Sequence, residues 1–360
     1  MLKRFSVSHF RNYASLEFNP SSGLNIVYGS NGSGKTSLLE AIYTLSSGRS
    51  FRTHLAQKLI QHPQAAFVLY AELLVDGAVV NLGMKRGQQG IEALRRNNLP
   101  VKAISDIAKG FPVQVFHPQS IELVVGETSL RRSWLDWGLF HVEQDYGSLM
   151  RQYKLVLKQR NSLLRNSRRD KLREISVWDQ QLTALSDRID LLRKGYLKQI
   201  APYFKRAIDQ LLPSLGLTFD YYRGWNQESD FAVLLKDKLE TDSENGYTSI
   251  GPHRADIRFK TNLGVAKDTL SRGQSKLLSY SLLLCQLYFL VESRGLTCLV
   301  LVDDLASELD ACHQKLLLDA LVSTGQQMIV TALDHEELPT LKELNPAVFH
   351  VEHGHIHLSK

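Results

Sequence analysis

Gly29-Ser30-Asn31-Gly32-Ser33-Gly34-Lys35-Thr36 constrains this chain more than any other stretch. It fits the pattern G-x-x-x-x-G-K-[ST], in which backbone N–H groups curl around a phosphate. Glycines are needed there because a Cβ would block that approach. The apolar run Leu24 to Tyr28 ahead of the motif reads as a buried strand, and Ser37 to Tyr43 behind it reads as a helix. By average residue usage, about 1% of random chains of this length would carry the pattern. The flanking strand and helix favour a phosphate site over a glycine-rich surface turn, because a helix N-terminus attracts an anion. Lys35 is expected to reach the β- and γ-phosphates, and the Thr36 hydroxyl to ligate Mg²⁺.

A chain of 360 residues, 43% hydrophobic and 22% charged, has room for a full core and two domains and the make-up of a soluble globular protein. The net charge of +6 makes an acidic partner plausible. Cys285, Cys298 and Cys312 lack C-x-x-C spacing and read as buried free thiols in a reducing compartment. No apolar run approaches the ~20 residues that span a bilayer, and Met1 leads straight into strand-like alternation. A cytoplasmic protein with no membrane association is expected.

Residues 1–118 read as strands and turns around the phosphate loop. Phe67 to Leu73 and Ala78 to Met84 form an expected hairpin about Asp76-Gly77. From about Ser133 the pattern turns helical. Trp178, Leu182, Leu185, Ile189, Leu192, Tyr196, Ile200, Tyr203, Ala207 and Leu211 recur in steps of four and three, an apolar seam suited to a helical hairpin. Tyr146, Met150, Tyr153, Leu157 and Leu164 supply the partner face, and Pro202 is expected to kink the longer helix. After Pro213 the strands Leu217 to Tyr222 and Ile257 to Phe259 follow, then a helix from about Gln274 to Glu292 and the strand Cys298 to Val302.

A phosphate loop needs a carboxylate to hold its metal. Asp303-Asp304 emerge at the C-terminal end of the last of these strands, the edge at which open α/β sheets bind ligands. Asp303 is assigned to Mg²⁺ and Asp304 to the attacking water; a carboxylate pair capping the next helix is the alternative. Leu270-Ser271-Arg272-Gly273-Gln274 opens the preceding helix. Ser271 is a good N-cap and Gly273 permits close backbone approach, as a phosphate-reading helix or merely a capped one would have. Phosphate loop, serine helix, Asp-Asp strand and then Ser307-Glu308-Leu309-Asp310 is the order found in ABC-type ATPases.

Phe10-Arg11-Asn12-Tyr13, the phosphate loop, Gly251-Pro252-His253-Arg254, Leu270 to Gln274 and Asp303 to Asp310 together resemble the RecF family, bacterial recombination-mediator ATPases related to SMC proteins. Gly126 followed by Arg131-Arg132 and Leu135-Asp136 adds to the likeness. The resemblance implies an α/β fold: an ABC-type, SMC-like P-loop ATPase lobe (1–118 and 247–360) with an inserted α-helical arm (119–246). It implies ATP and Mg²⁺ as cofactors, with Lys35, Asp303, Asp304 and Ser271 as the catalytic set. Gly29, Ser30, Asn31, Gly32, Ser33, Gly34, Thr36, Arg11, Asn12, Ser271 and Gly273 would contact nucleotide. Gln114 is the candidate for a glutamine bridging metal and lobe, on its place in the chain.

The resemblance further implies an ATP-dependent homodimer with two nucleotides sandwiched between phosphate loop and serine helix. DNA binding at gaps and stalled forks, and cooperation with RecO and RecR in loading RecA, are implied too. The chain departs from the family pattern in places. Gln119-Ser120 and Ala255 stand where acidic residues are common, and no histidine follows Val330-Thr331-Ala332, which leaves Thr331 for any sensor role and His335 for the surface. Between Lys154 and Glu174, the basic residues Arg160, Arg165, Arg168, Arg169, Lys171 and Arg173 surround the expected turn of the arm. They are assigned to DNA phosphates, with a solvated helix face as the alternative. A transporter-type ABC subunit and a non-hydrolysing nucleotide-gated scaffold share the phosphate motifs, but the first should lack the basic arm.

Overall fold

The first strand turns Leu2, Phe5, Val7 and Phe10 inward to one face of a sheet-on-sheet core, with a shift of register between Leu2 and Arg4 that breaks strict alternation. The computed structural model describes residues 1–165, 171–213, 215–304, 309–334, 344–352 and 354–359, with the side chains of 171–173 outside the description. Its strands are β1 Leu2–Phe10, β2 Tyr13–Phe18, β3 Leu24–Tyr28, β4 Ala66–Val75, β5 Ala78–Gly87, β6 Gly90–Arg96, β7 Leu99–Pro100 and β8 Val113–Phe116. Then come β9 Thr218–Tyr222, β10 Asp256–Thr261, β11 Gly264–Val265, β12 Leu299–Val302, β13 Met328–Ala332, β14 Ala347–Glu352 and β15 His355–Leu358. The longer helices are α1 Lys35–Ser47, α2 Thr128–Val142, α3 Tyr146–Leu164, α4 Lys171–Leu211, α5 Arg272–Tyr288 and α6 Ala311–Val322.

The chain divides into two compact units, Met1–Ser120 with Tyr280–Lys360, and Ile121–Ser279. In the first, an antiparallel sheet of order β2-β1-β4-β5-β6-β7 accompanies a second sheet of order β15-β14-β3-β13-β12-β8, in which only the β14–β15 pair is antiparallel. Phe5, Phe18, Phe67 and Leu82 from one sheet, Val27, Val115, Leu301 and Ile329 from the other, and Leu38, Leu39 and Ile42 from α1 form one apolar core. The expected hairpin is present: Val75 pairs with Ala78 across Asp76-Gly77, both at positive φ.

The parallel register brings four strand ends to one edge. Val302 lies opposite both Phe116 and Val330, and Ala332 lies opposite Tyr28. Whatever follows β3, β8, β12 and β13 therefore converges, and the phosphate loop and Asp303-Asp304 are two of those segments.

The second unit is built on α3 and α4. The 41-residue α4 runs through Pro202 and buries Leu182, Ile189, Tyr196, Ile200, Ala207 and Leu211 of the expected seam; Trp178, Leu185, Leu192 and Tyr203 are only half-buried, and Ile175 and Phe204 join the buried side instead. On α3 the buried side is Tyr146, Leu149, Tyr153, Val156, Arg160 and Leu164, so Leu149 and Val156 take the places given to Met150 and Leu157. The unit extends past residue 246 because β9 and β10 pair antiparallel in one sheet, Phe219 opposite Phe259, which ties the chain on both sides of that point together.

Motifs that carried the family likeness outside the phosphate site meet inside this unit. Arg131 Nε donates to Asp256 at 2.8 Å and its Nη1 to the Gly126 carbonyl at 2.9 Å. Arg132 donates to the Ala255 carbonyl, and buried Arg193 donates to both Asp136 and the Pro252 carbonyl at 2.8 Å. Tyr153 Oη lies 2.6 Å from His253 Nδ1. Burial pushes His253 down to about 4, which keeps it neutral beside the arginines of this joint.

Candidate functional site: a phosphate loop facing two carboxylates

The loop between β3 and α1 needs its glycines. Gly34 sits at φ 125°, and a Cβ there would stand 2.6 Å from the Tyr13 hydroxyl, which donates to the Gly34 carbonyl at 2.9 Å. Asn12 Nδ2 donates to the Ser33 carbonyl at 3.1 Å. Asn12 and Tyr13 thus hold the loop from behind. The first turn of α1 carries no acidic residue, and Gly34 supplies no side-chain cap, so no carboxylate of this turn competes with an anion for the positive end of the helix. Ser33 Oγ is buried with no hydrogen-bond partner among the described residues. Lys35 Nζ folds back onto the loop, donating to the Gly29 carbonyl and, at 3.0 Å, to that of Ser30.

Across the edge, Thr36 Oγ1 donates to Asp303 Oδ1 at 2.9 Å. Thr331 Oγ1 donates to the same oxygen at 2.9 Å and accepts from the Asp304 N–H at 3.0 Å. Asp304 sits at φ 51°, a left-handed conformation that this bond to Thr331 helps to hold. Asp303 is 6% exposed. Burial raises its pKa; the bonds from Thr36 and Thr331 act against that, the Asp304 charge adds to it, and Arg52 opposes it. A carboxylate disfavoured as an anion and already facing a threonine hydroxyl is fitted to a divalent cation, which would supply the missing positive charge. A cavity of about 530 Å³, lined by Asn12, Lys35, Thr36, Arg52, Asp304 and Thr331 among others, opens here.

Glu40 is the side chain whose part at this site the sequence reading missed. It lies on the buried face of α1 with a fully buried carboxylate, which takes a bidentate pair from Arg11 at 2.8 and 2.7 Å. Ser50 Oγ donates to it, and Arg52 Nη1 lies 3.7 Å away. Arg11 also donates to the Lys58 carbonyl at 2.8 Å. Much of its guanidinium is therefore committed to bracing the cavity wall. The signal was a glutamate inside the run Leu38-Leu39-Glu40-Ala41-Ile42, because a buried carboxylate demands a cationic partner.

Two sequence assignments are corrected. Gln114 lies within β8, opposite Val300 and 5% exposed, two residues short of the strand end that meets the ligand edge, and it is not among the residues that line the cavity. Arg160 faces into the second unit with no exposure. It donates to Asp179 at 2.6 Å and to Asp242 and Thr248 at 2.9 Å, so its charge is spent inside the protein and none is left for DNA. Arg165 is exposed. Arg168 and Arg169, the side chains of Lys171 and Arg173, residues Leu305 to Glu308 and His335 lie outside the described residues.

Ser271 and Gly273 open α5 in the second unit, both exposed. Ser271 and Gln274 form a reciprocal cap: the Ser271 N–H donates to Gln274 Oε1 at 2.9 Å, and the Gln274 N–H donates to Ser271 Oγ at 3.3 Å. A Cβ on Gly273 would meet nothing within 4 Å.

The model for the RecF/RecN/SMC N terminal domain matches residues 1–357. The DNA replication and repair protein RecF of Cellvibrio japonicus (strain Ueda107) is 40% identical over 360 residues, covering 99% of this chain and 98% of that protein. The protein of the same name from Shewanella woodyi is 39% identical, with 98% and 96% covered. A solved structure described as "Structure of the recombination mediator protein RecF-ATP in RecFOR pathway" superposes with a TM-score of 0.89 at 25% identity, over 100% of this chain and 97% of that one. An SMC head bound to the C-winged helix domain of ScpA shares the fold at a TM-score of 0.59 and 14% identity.

Proposed function

Because the chain belongs to the RecF family of RecF/RecN/SMC N-terminal domain proteins, with their ABC-type ATPase head fold, we propose that it is an ATP-dependent DNA-binding protein of recombinational repair. ATP takes the cavity at the end of β3. The α1 N-terminus and Lys35 would hold its phosphates, and Thr36 and Asp303 would hold Mg²⁺. When bound, the metal neutralises charge on the β- and γ-oxygens. Asp304, fixed through Thr331, orients the attacking water. The threonine–carboxylate pair of Thr36 and Asp303, closed at 2.9 Å, carries this reading.

The site is half of a shared one. Gly273 is the second residue of α5, and no described residue of the chain takes up the space that a Cβ there would fill. An exposed serine cap and an unfilled glycine are what a helix needs to approach a nucleotide held by a second copy. Two ATP molecules then sit between two chains, and hydrolysis is slow because it waits for dimerisation and separates the dimer. The arm, through Arg165 and the basic residues after it, holds DNA at gaps and stalled forks. RecO and RecR, the partners implied by the RecFOR relatives, act with this chain in loading RecA. Relatives along the full length are repair proteins, which leaves the transporter alternative without support.

Hydrolysis assayed with and without DNA tests this reading. Slow turnover should rise when DNA is added. The triple reversal of Arg165, Arg168 and Arg169 to glutamate should remove the rise and lower the salt slope of DNA binding by roughly 0.9 for each phosphate no longer neutralised. Turnover indifferent to DNA, or an unchanged salt slope, would end the assignment of DNA to the arm.

A further inference from the structure

Tyr247 closes the short helix Leu239–Asn245, immediately after Gly246 at φ 71°. The residue is 41% exposed, yet its backbone is fixed. The Tyr247 N–H donates to the Asp242 carbonyl at 3.2 Å, and the next residue, buried Thr248, is held by Asn161 and Arg160. The Arg254 guanidinium stands over the ring, 5.3 Å from its centroid. Arg165 packs its stem against Gly246, with Cγ 3.0 Å from where a Cβ would be, and donates through Nε to the Gly246 carbonyl at 3.0 Å. Arg165 and Arg254 are both exposed, and neither is paired with a carboxylate among the described residues.

An exposed aromatic under one unneutralised guanidinium, with a second held at the neighbouring residue Gly246, has a recognisable use. Proteins that hold single-stranded nucleic acid combine basic groups that track the backbone with aromatic rings that take a base by stacking. A duplex hides its base faces, so such a ring distinguishes an unpaired nucleotide from a paired one. We propose that Tyr247, with Arg165 and Arg254 beside it, is a stacking platform for one unpaired base of a DNA strand, the arginines taking the adjoining phosphates. This rests on the assignment of DNA to the arm and adds to it the part of the DNA that the arm selects.

The test uses the full chain with ATP and Mg²⁺, titrated by fluorescence anisotropy into a labelled gapped duplex and into the uninterrupted duplex of the same length. Losing one base stack, worth about 1–3 kcal/mol, should weaken gapped-DNA binding of Tyr247→Ala roughly ten-fold and leave the duplex within about two-fold. Tyr247→Phe keeps the ring and should bind the gap like the parent. Arg254→Gln should lower the salt slope on gapped DNA by roughly 0.7, the value for a single-strand phosphate. Equal binding of both DNAs by Tyr247→Ala and the parent would overturn the proposal, as would equal losses on both DNAs. A parent chain that binds neither DNA would overturn the DNA reading of the arm itself, and this inference with it.

Discussion

Replacing Asp303 by asparagine should lower ATP hydrolysis by roughly 100- to 1000-fold, the several kcal/mol of charge stabilisation that a bound metal supplies. The reasoning starts from burial. Asp303 is 6% exposed, and its surroundings raise its pKa chiefly by desolvation. Without metal, the charged form is therefore a burden on the fold, and the neutral amide should leave the nucleotide-free protein as stable as the parent or slightly more so. Two hydroxyls, from Thr36 and Thr331, already donate to its Oδ1 at 2.9 Å, and an amide oxygen can accept the same pair. What the amide cannot do is neutralise Mg²⁺. Nucleotide binding, assigned to the loop amides and Lys35 in the proposed function, should fall much less than turnover, whereas Lys35→Met should lose both. A steady-state assay beside nucleotide binding by calorimetry reads the split. Hydrolysis within ten-fold of the parent would remove Asp303 from the metal.

Arg160→Ala should lower the thermal midpoint of the second unit by about 10 °C, from a loss of roughly 3–5 kcal/mol. Arg160 and Asp242 are both fully buried and lie 2.9 Å apart, and Asp242 Oδ1 takes the Ser249 N–H as well. Removing the guanidinium leaves Asp242 and partly exposed Asp179 facing an empty space, and an unpaired buried charge is what makes such a deletion costly. Pairing Arg160→Met with Asp242→Leu should restore much of the loss, because no charge is then left uncompensated. Exposed Arg165 provides the contrast: its replacement by alanine should change stability by no more than about 0.5 kcal/mol. Calorimetric scans of these variants beside the parent measure this. A midpoint for Arg160→Ala equal to that of the parent, with DNA binding abolished, would return Arg160 to the surface.

These residues show what could be read from the sequence and what could not. The phosphate loop, the Asp76-Gly77 hairpin and the seam of α4 were legible because each is set by a local pattern: spaced glycines, a turn dipeptide, steps of four and three. Asp303 was legible because a strand fixes where its end lies. Arg160 was misread because its partners, Asp179, Asp242 and Thr248, are distant in sequence, and a lysine- and arginine-rich helix looks the same whether one of its charges is buried or not. The extent of the second unit was hidden for a similar reason: β9 and β10 are joined by long-range pairing across more than thirty residues. Gln114 was misplaced because order along the chain does not say which residue of a strand reaches the ligand edge, and it stands two residues short of the end of β8. The brace of Arg11, Arg52 and Ser50 about Glu40 joins three segments, and only the buried glutamate hinted at it.

The claim that nucleotide joins two copies of this chain through the serine helix is tested most directly by light scattering of the full-length protein. With ATP and Mg²⁺ the mass should rise to twice the 40.8 kDa of the chain. It should stay at the single-chain value with ADP or without nucleotide, and also in Ser271→Arg with ATP, where a bulky cation replaces the cap. A single-chain mass with saturating ATP, or a doubled mass that ignores the nucleotide, would contradict it.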